Sequence, residues 1–171
     1  MLGFNSKRTR LYSSSAPQLG ATRMETPKTR ILIIEDNPDD EALLMRQLQK
    51  AQLHQQVKVI GDGKTALEYL TDINSRCEEL VAIFLDLNLP SLSGLQLLEK
   101  MRSYDRIGHL PVIVMTSSNA PTDLEKCQKL GVSCYVQKPI TFTTFSKAVA
   151  DSFHAPLTKT GLISPRLNAI E

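Results

Sequence analysis

From Arg30 onward, short apolar runs alternate with stretches of helical period. The runs are "RILIIED" (30–36), "QVKVIG" (56–61), the segment 80–86 ending "IFLD", "LPVIVMTS" (110–117) and "SCYVQKP" (133–139). Each is about the length of a strand and rich in β-branched or aromatic residues. Between them lie "PDDEALLMRQLQKAQL" (38–53), "GKTALEYLTDI" (63–73), "LSGLQLLEKMRS" (92–103), "PTDLEKCQKLG" (121–131) and "TFTTFSKAVADSF" (141–153). In these, apolar residues recur three and four apart: Leu44 and Leu48, then Ala66, Leu67 and Leu70, then Leu97, Leu98 and Met101, then Phe145 and Val149. Asn37 before Pro38 suits a helix start, and Gly131 suits a helix stop.

Five strands alternating with five helices predict an α/β fold. Strands this apolar need helices on both faces, so the sheet is parallel and doubly wound. For a (βα)5 chain the natural strand order is the flavodoxin-like 2-1-3-4-5. The alternating second strand, 56–61, reads as the one nearer a sheet edge.

Charge separates the ends from this core. Residues 1–30 hold six Lys and Arg against Glu25 alone, whereas residues 31–153 hold twelve basic and sixteen acidic residues. A mildly acidic core argues against nucleic acid as its main ligand. Residues 1–28 read as a disordered basic extension, with an organelle transit peptide or a docking arm as alternatives, and Met24 as an alternative start. Residues 154–171 read as an irregular tail, too short for an output domain. No apolar run reaches the ~20 residues of a membrane helix. Cys77, Cys127 and Cys134 form no metal-binding pattern and read as free thiols of a cytoplasmic protein. His54, His109 and His154 are scattered, the first two in connecting segments.

Ligands of an open α/β sheet sit outside the carboxyl ends of its strands. The first strand ends in Glu35-Asp36, the third in Asp86 and the fourth in Thr116-Ser117, and Lys138 follows the fifth. Three acids, a hydroxyl and an amine therefore converge on one edge. Clustered carboxylates repel, and a hard divalent cation with oxygen ligands and water, Mg²⁺, resolves the conflict. The backbone carbonyl of Asn88 offers a further oxygen. An Asp beside Mg²⁺ and Lys is a nucleophile placed for phosphoryl transfer. Taken singly, each residue has a plainer explanation, such as a helix cap, a backbone-bonded hydroxyl or a solvated Lys. The "DG" at 62–63 reads as a turn only.

The pieces "ILIIEDNPDD", "FLDLNLPSLSG", "PVIVMTSS" and "CYVQKPIT", in this order, resemble the receiver domain of two-component response regulators, over residues 29–153. The resemblance implies Asp86 as phosphoacceptor for a sensor-kinase phosphohistidine. It implies Mg²⁺ held by Asp36, Asp86 and the Asn88 carbonyl, with Glu35 acting through a metal-bound water. Lys138 would pair with the phosphoryl group. Thr116 would swing toward that group, and Tyr135 would turn inward. Those two movements would switch the face of the fourth helix, fifth strand and fifth helix. Glu35 stands where many members carry Asp. Asn88 and Ser118, at positions that tune phosphoryl lifetime, imply neither an extremely short nor a very long one. The wording "EDNPDD", "GDGKTALEYL" and "DLNLP" is similar to stand-alone regulators of phytochrome-type and hybrid kinases, which implies such a kinase as partner and, as in several relatives, homodimers.

Two other functions are weighed against this one. A haloacid-dehalogenase-type phosphatase needs a second Asp two residues after its nucleophile, where this chain has Asn88. A phosphorylation-independent binding scaffold would not need the full set Glu35, Asp36, Asp86, Thr116 and Lys138. The expectation is a phospho-switch acting by protein contact, without direct DNA binding or turnover of a separate metabolite.

Overall fold

The structure is a computed structural model that describes residues 9–11, 30–118 and 120–153. The strands are β1 (Thr9–Leu11), β2 (Ile31–Ile34), β3 (Val57–Ile60), β4 (Ala82–Asp86), β5 (Val112–Thr116) and β6 (Cys134–Gln137). The helices are α1 (Pro38–Lys50), α2 (Gly63–Thr71), α3 (Gly94–Arg102), α4 (Pro121–Lys129) and α5 (Phe142–Phe153). The sheet order is β1-β3-β2-β4-β5-β6. Strands β2 to β6 are parallel and, counted among themselves, follow 2-1-3-4-5 as the sequence predicts.

Side chains of successive strand residues point to opposite faces. Ile31 and Ile33 enter one core layer with Leu44, Leu48, Phe84, Phe145 and Val149. Leu32 and Ile34 enter the other with Ala66, Leu70, Leu97, Leu98 and Met101. The Phe84 and Phe145 rings stack with centroids 5.8 Å apart, fixing α5 on the central strand. Helix α4 is the least anchored, with Cys127 as its one buried residue. Among the described residues no helix is long and apolar enough to cross a membrane.

One departure lies at the sheet edge. Thr9–Leu11 falls in the segment expected to be a disordered extension, yet it pairs antiparallel with β3, Thr9 opposite Ile60 and Leu11 opposite Lys58. The edge of β3 presents a row of backbone donors and acceptors that a short strand can satisfy. Three residues are too few to show a period, which is why the pattern gave no sign of it. The remainder of 1–28 and the tail 154–171 lie outside the described residues.

Helix starts follow local chemistry. Asn37 caps α1 by accepting from the Asp39 amide at 2.9 Å, with Pro38 in the first turn. Asp62 is more than a turn residue, since its carboxylate accepts from the Thr65 amide at 2.7 Å and caps α2. Ser93 and Gln96 form a reciprocal capping box on α3. Gly131, at φ 63°, closes α4.

Gly94 packs the start of α3 directly on the end of β4. A Cβ there would lie 2.0 Å from the Asp86 carbonyl oxygen and 2.7 Å from the Leu87 Cα. Backbone on both sides leaves no flexible group to yield. Gly94→Ala is therefore expected to cost at least ~1–3 kcal/mol of stability, read from urea unfolding midpoints. An unchanged midpoint would show that α3 can move away from β4 freely.

Candidate functional site

The carboxyl ends of β2, β4 and β5 and the residue after β6 meet at one place. Glu35 follows β2 and is 2 % exposed, while Asp86 ends β4 and is 3 % exposed. Asp36 is exposed beside them. Carboxylate oxygens of Glu35, Asp36 and Asp86 all lie within 4.8 Å of one another. Lys138 crosses this group with its side chain buried. Its Nζ donates to Glu35 Oε2 at 2.7 Å, to Asp86 Oδ2 at 2.8 Å and to Asp40 Oδ2 at 2.9 Å. The Lys138 amide donates to the Thr116 carbonyl at 2.9 Å, which ties the amine's strand to β5.

The second oxygen of each buried acid is fixed by the loop that follows it. The Asn37 amide donates to Glu35 Oε1 at 3.0 Å, and the Asn88 amide donates to Asp86 Oδ1 at 3.1 Å. Burial pushes the Glu35 carboxyl up to about 7; the Asp86 charge adds to this, and the Lys138 hydrogen bond opposes it. Burial alone would lower the Lys138 ammonium, but the hydrogen bonds it donates to Asp86, Glu35 and Asp40 outweigh it and hold Lys138 above its usual range. Three carboxylates thus bind one ammonium, Asp36 lies beside two of them, and the pocket carries more negative charge than Lys138 offsets.

That excess, on hard oxygen donors, fits a divalent cation such as Mg²⁺. Glu35, Asp36 and Asp86 supply the oxygens, and the exposure of Asp36 leaves a side open to water.

The structure brings Glu35, Asp36, Asp86 and Lys138 together as the sequence predicts. Asn88 is exposed beside Asp86 and contacts it through its amide. Thr116 is fully buried at the same edge, but its hydroxyl accepts from the Ser118 amide at 3.0 Å. The Tyr135 hydroxyl donates to the Ser118 carbonyl at 2.9 Å. Ser118 therefore links Thr116 to Tyr135, and its own hydroxyl donates to Asp123 in the first turn of α4 at 2.8 Å. The Ser118 hydroxyl also accepts from the Ala120 amide at 3.2 Å, while Ala120 itself gives α4 no side-chain cap. Burial raises the Tyr135 phenol above its usual range. Tyr135→Phe is expected to lower stability by about 1 kcal/mol through this hydrogen bond. Faster amide exchange at Ser118 and Ala120 would accompany it, and an unchanged exchange rate would show that the hydroxyl does not hold the loop.

Sequence reasoning missed Asp40. It is one of three acids in the first turn of α1, where acids favour the helix dipole. The available signal was its position, one helical turn beyond Asp36 on a helix that starts at the site.

The response regulator receiver domain family matches residues 31–150. The bacteriophytochrome response regulator RtBRR is 37% identical, with a TM-score of 0.64 over 73% of this chain and 78% of that one. The Mn²⁺-bound form of response regulator Rcp1 is 26% identical, with a TM-score of 0.62 over 74% of this chain and 94% of that one. The two-component response regulator ARR17 of Arabidopsis thaliana is 29% identical over 124 residues, 68% of this chain and 80% of ARR17. With the acids, the amine and the strand order all in place, the chain belongs to the response regulator receiver family.

Proposed function

We propose that the chain is a phospho-switch in which Asp86 takes a phosphoryl group from a phosphohistidine of a sensor histidine kinase. The observation that carries this reading is the convergence of Lys138 Nζ on Asp86 and Glu35, 2.8 and 2.7 Å away, at the carboxyl edge of the sheet. An Asp86 carboxylate oxygen attacks phosphorus. The O–P bond forms as the P–N bond breaks, and the imidazole leaves with its electron pair and gains a proton. Lys138 offsets charge on the phosphoryl oxygens. Glu35, Asp36 and Asp86, with the Asn88 carbonyl, would hold Mg²⁺, and Mg²⁺ supplies positive charge to the phosphoryl oxygens when bound. The Mn²⁺ in Rcp1 supports a divalent cation in this chain. The catalysis is directed at the protein's own Asp86, with no separate metabolite turned over.

The readout follows from the Thr116–Ser118–Tyr135 chain. A phosphoryl group on Asp86 offers the Thr116 hydroxyl a charged acceptor that competes with its present tie to Ser118. Movement there changes the hold on Tyr135 and on α4, and so the face of α4, β6 and α5 offered to a partner. The similarity to the bacteriophytochrome response regulator RtBRR supports a phytochrome-type kinase upstream.

The test uses phosphoramidate, whose P–N bond mimics phosphohistidine. With Mg²⁺ the protein should gain a phosphoryl group labile to hydroxylamine, as an acyl phosphate is, and it should gain none with EDTA. Labelling that is stable to hydroxylamine, or independent of the metal, would contradict the reading.

A further inference from the structure

An ammonium has three N–H donors. Those of Lys138 are all engaged, by Glu35, Asp86 and Asp40. A phosphoryl group arriving at Asp86 finds no donor available unless one of these bonds opens.

The three acceptors differ. Glu35 and Asp86 side chains are 1% and 5% exposed, whereas Asp40 is 22% exposed. Asp40 also stands outside the Glu35, Asp36 and Asp86 group, so a cation there does not claim it. It comes from α1, whose first turn is fixed by the Asn37 cap and Pro38. Without Asp40, Lys138 would still be held by two shorter bonds to the two most buried acids. Asp40 is therefore not needed to keep the amine in the pocket. Its carboxylate occupies the donor that faces outward, toward solvent.

We propose that Asp40 is a positioning residue that restrains Lys138, its carboxylate competing with the incoming phosphoryl group for the third N–H. This rests on the phospho-switch reading and deepens it. The height of the barrier to phosphorylation is set partly from α1, by a residue that touches neither the phosphoryl group nor the metal. Loss of the Asp40 charge lets Lys138 meet the phosphoryl oxygens earlier. An Asn at this position keeps a neutral acceptor and releases the amine less completely than Ala.

The test measures the rate of Asp86 phosphorylation by acetyl phosphate at saturating Mg²⁺, in which the new O–P bond forms and acetate leaves. Asp40→Ala should be about three- to tenfold faster than wild type, with Asp40→Asn changed in the same direction by less. In a Lys138→Ala background the same substitutions should change the rate less than twofold. No acceleration, or equal acceleration without Lys138, would overturn the proposal, the latter by showing a general charge effect. Urea unfolding of the Asp40→Asn, Lys138→Ala and double variants gives an independent readout, and the proposal requires non-additivity. Additive unfolding in a protein that is phosphorylated defeats this proposal alone. A wild type that takes no phosphoryl group defeats the functional reading and this proposal with it.

Discussion

Asp86→Asn is expected to fold with wild-type stability or better and to take no phosphoryl group from any donor. The amide preserves the shape of the side chain, and its oxygen can still accept from the Asn88 amide, now at 3.1 Å from Asp86 Oδ1. What is lost is one of the three carboxylates bound to a single ammonium. The Asp86 charge is among the causes that hold buried Glu35 up to about 7, so its removal relieves a repulsion. The cost is one charged hydrogen bond from Lys138, which retains Glu35 and Asp40. An amide oxygen is too weak a nucleophile to displace a leaving group from phosphorus, so the loss of phosphorylation should be complete. A stable variant that still accepts phosphoryl would move the acceptor elsewhere. A variant that fails to fold would mean the Lys138–Asp86 bond outweighs the repulsion.

Lys138→Ala should have the opposite effect on stability. It leaves Glu35 and Asp86 buried and adjacent, with no cation between them. Removing one partner of a buried ion pair costs about 3–5 kcal/mol, and a loss of ~3 kcal/mol is expected here because Glu35 can take up a proton in compensation. Mg²⁺ should recover a larger part of that loss in the variant than it adds to wild type, since it supplies the missing positive charge. Some phosphorylation should persist, but partner binding should no longer respond to it, because the amine that ties the phosphoryl group to β6 is gone. Urea unfolding with EDTA and with Mg²⁺ measures the first effect, and partner affinity before and after acetyl phosphate the second. Wild-type stability without metal would show that the Glu35 and Asp86 carboxyls tolerate one another without the amine.

How much of this was legible beforehand depended on what kind of signal each part leaves. The apolar runs named the parallel strands, most plainly Ile31–Ile34, Ala82–Asp86 and Val112–Thr116, which are buried on both faces and apolar up to the Asp86 and Thr116 that end the last two. Leu44, Leu48, Phe145 and Val149 gave the core-facing side of α1 and α5 by spacing alone. Glu35, Asp36, Asp86 and Lys138 stood out because charges at the ends of buried strands need a reason. β1 left no signal, since its placement depends on the pairing edge of β3 and not on its own three residues. Asp40 was hidden for a different reason. An acid in a first helical turn has an ordinary local explanation, and only the side-chain geometry shows it on Lys138. Thr116 was assigned to the right edge, yet its hydroxyl is turned to Ser118, a choice between local partners that strand patterning does not encode.

The central claim is that Asp86 accepts the phosphoryl group. The most direct measurement is the intact-protein mass of wild type and Asp86→Asn after acetyl phosphate and Mg²⁺. A gain of one phosphoryl group in wild type and none in Asp86→Asn is the result this account predicts. Equal gain in both proteins, or none in wild type with either acetyl phosphate or phosphoramidate, would contradict it.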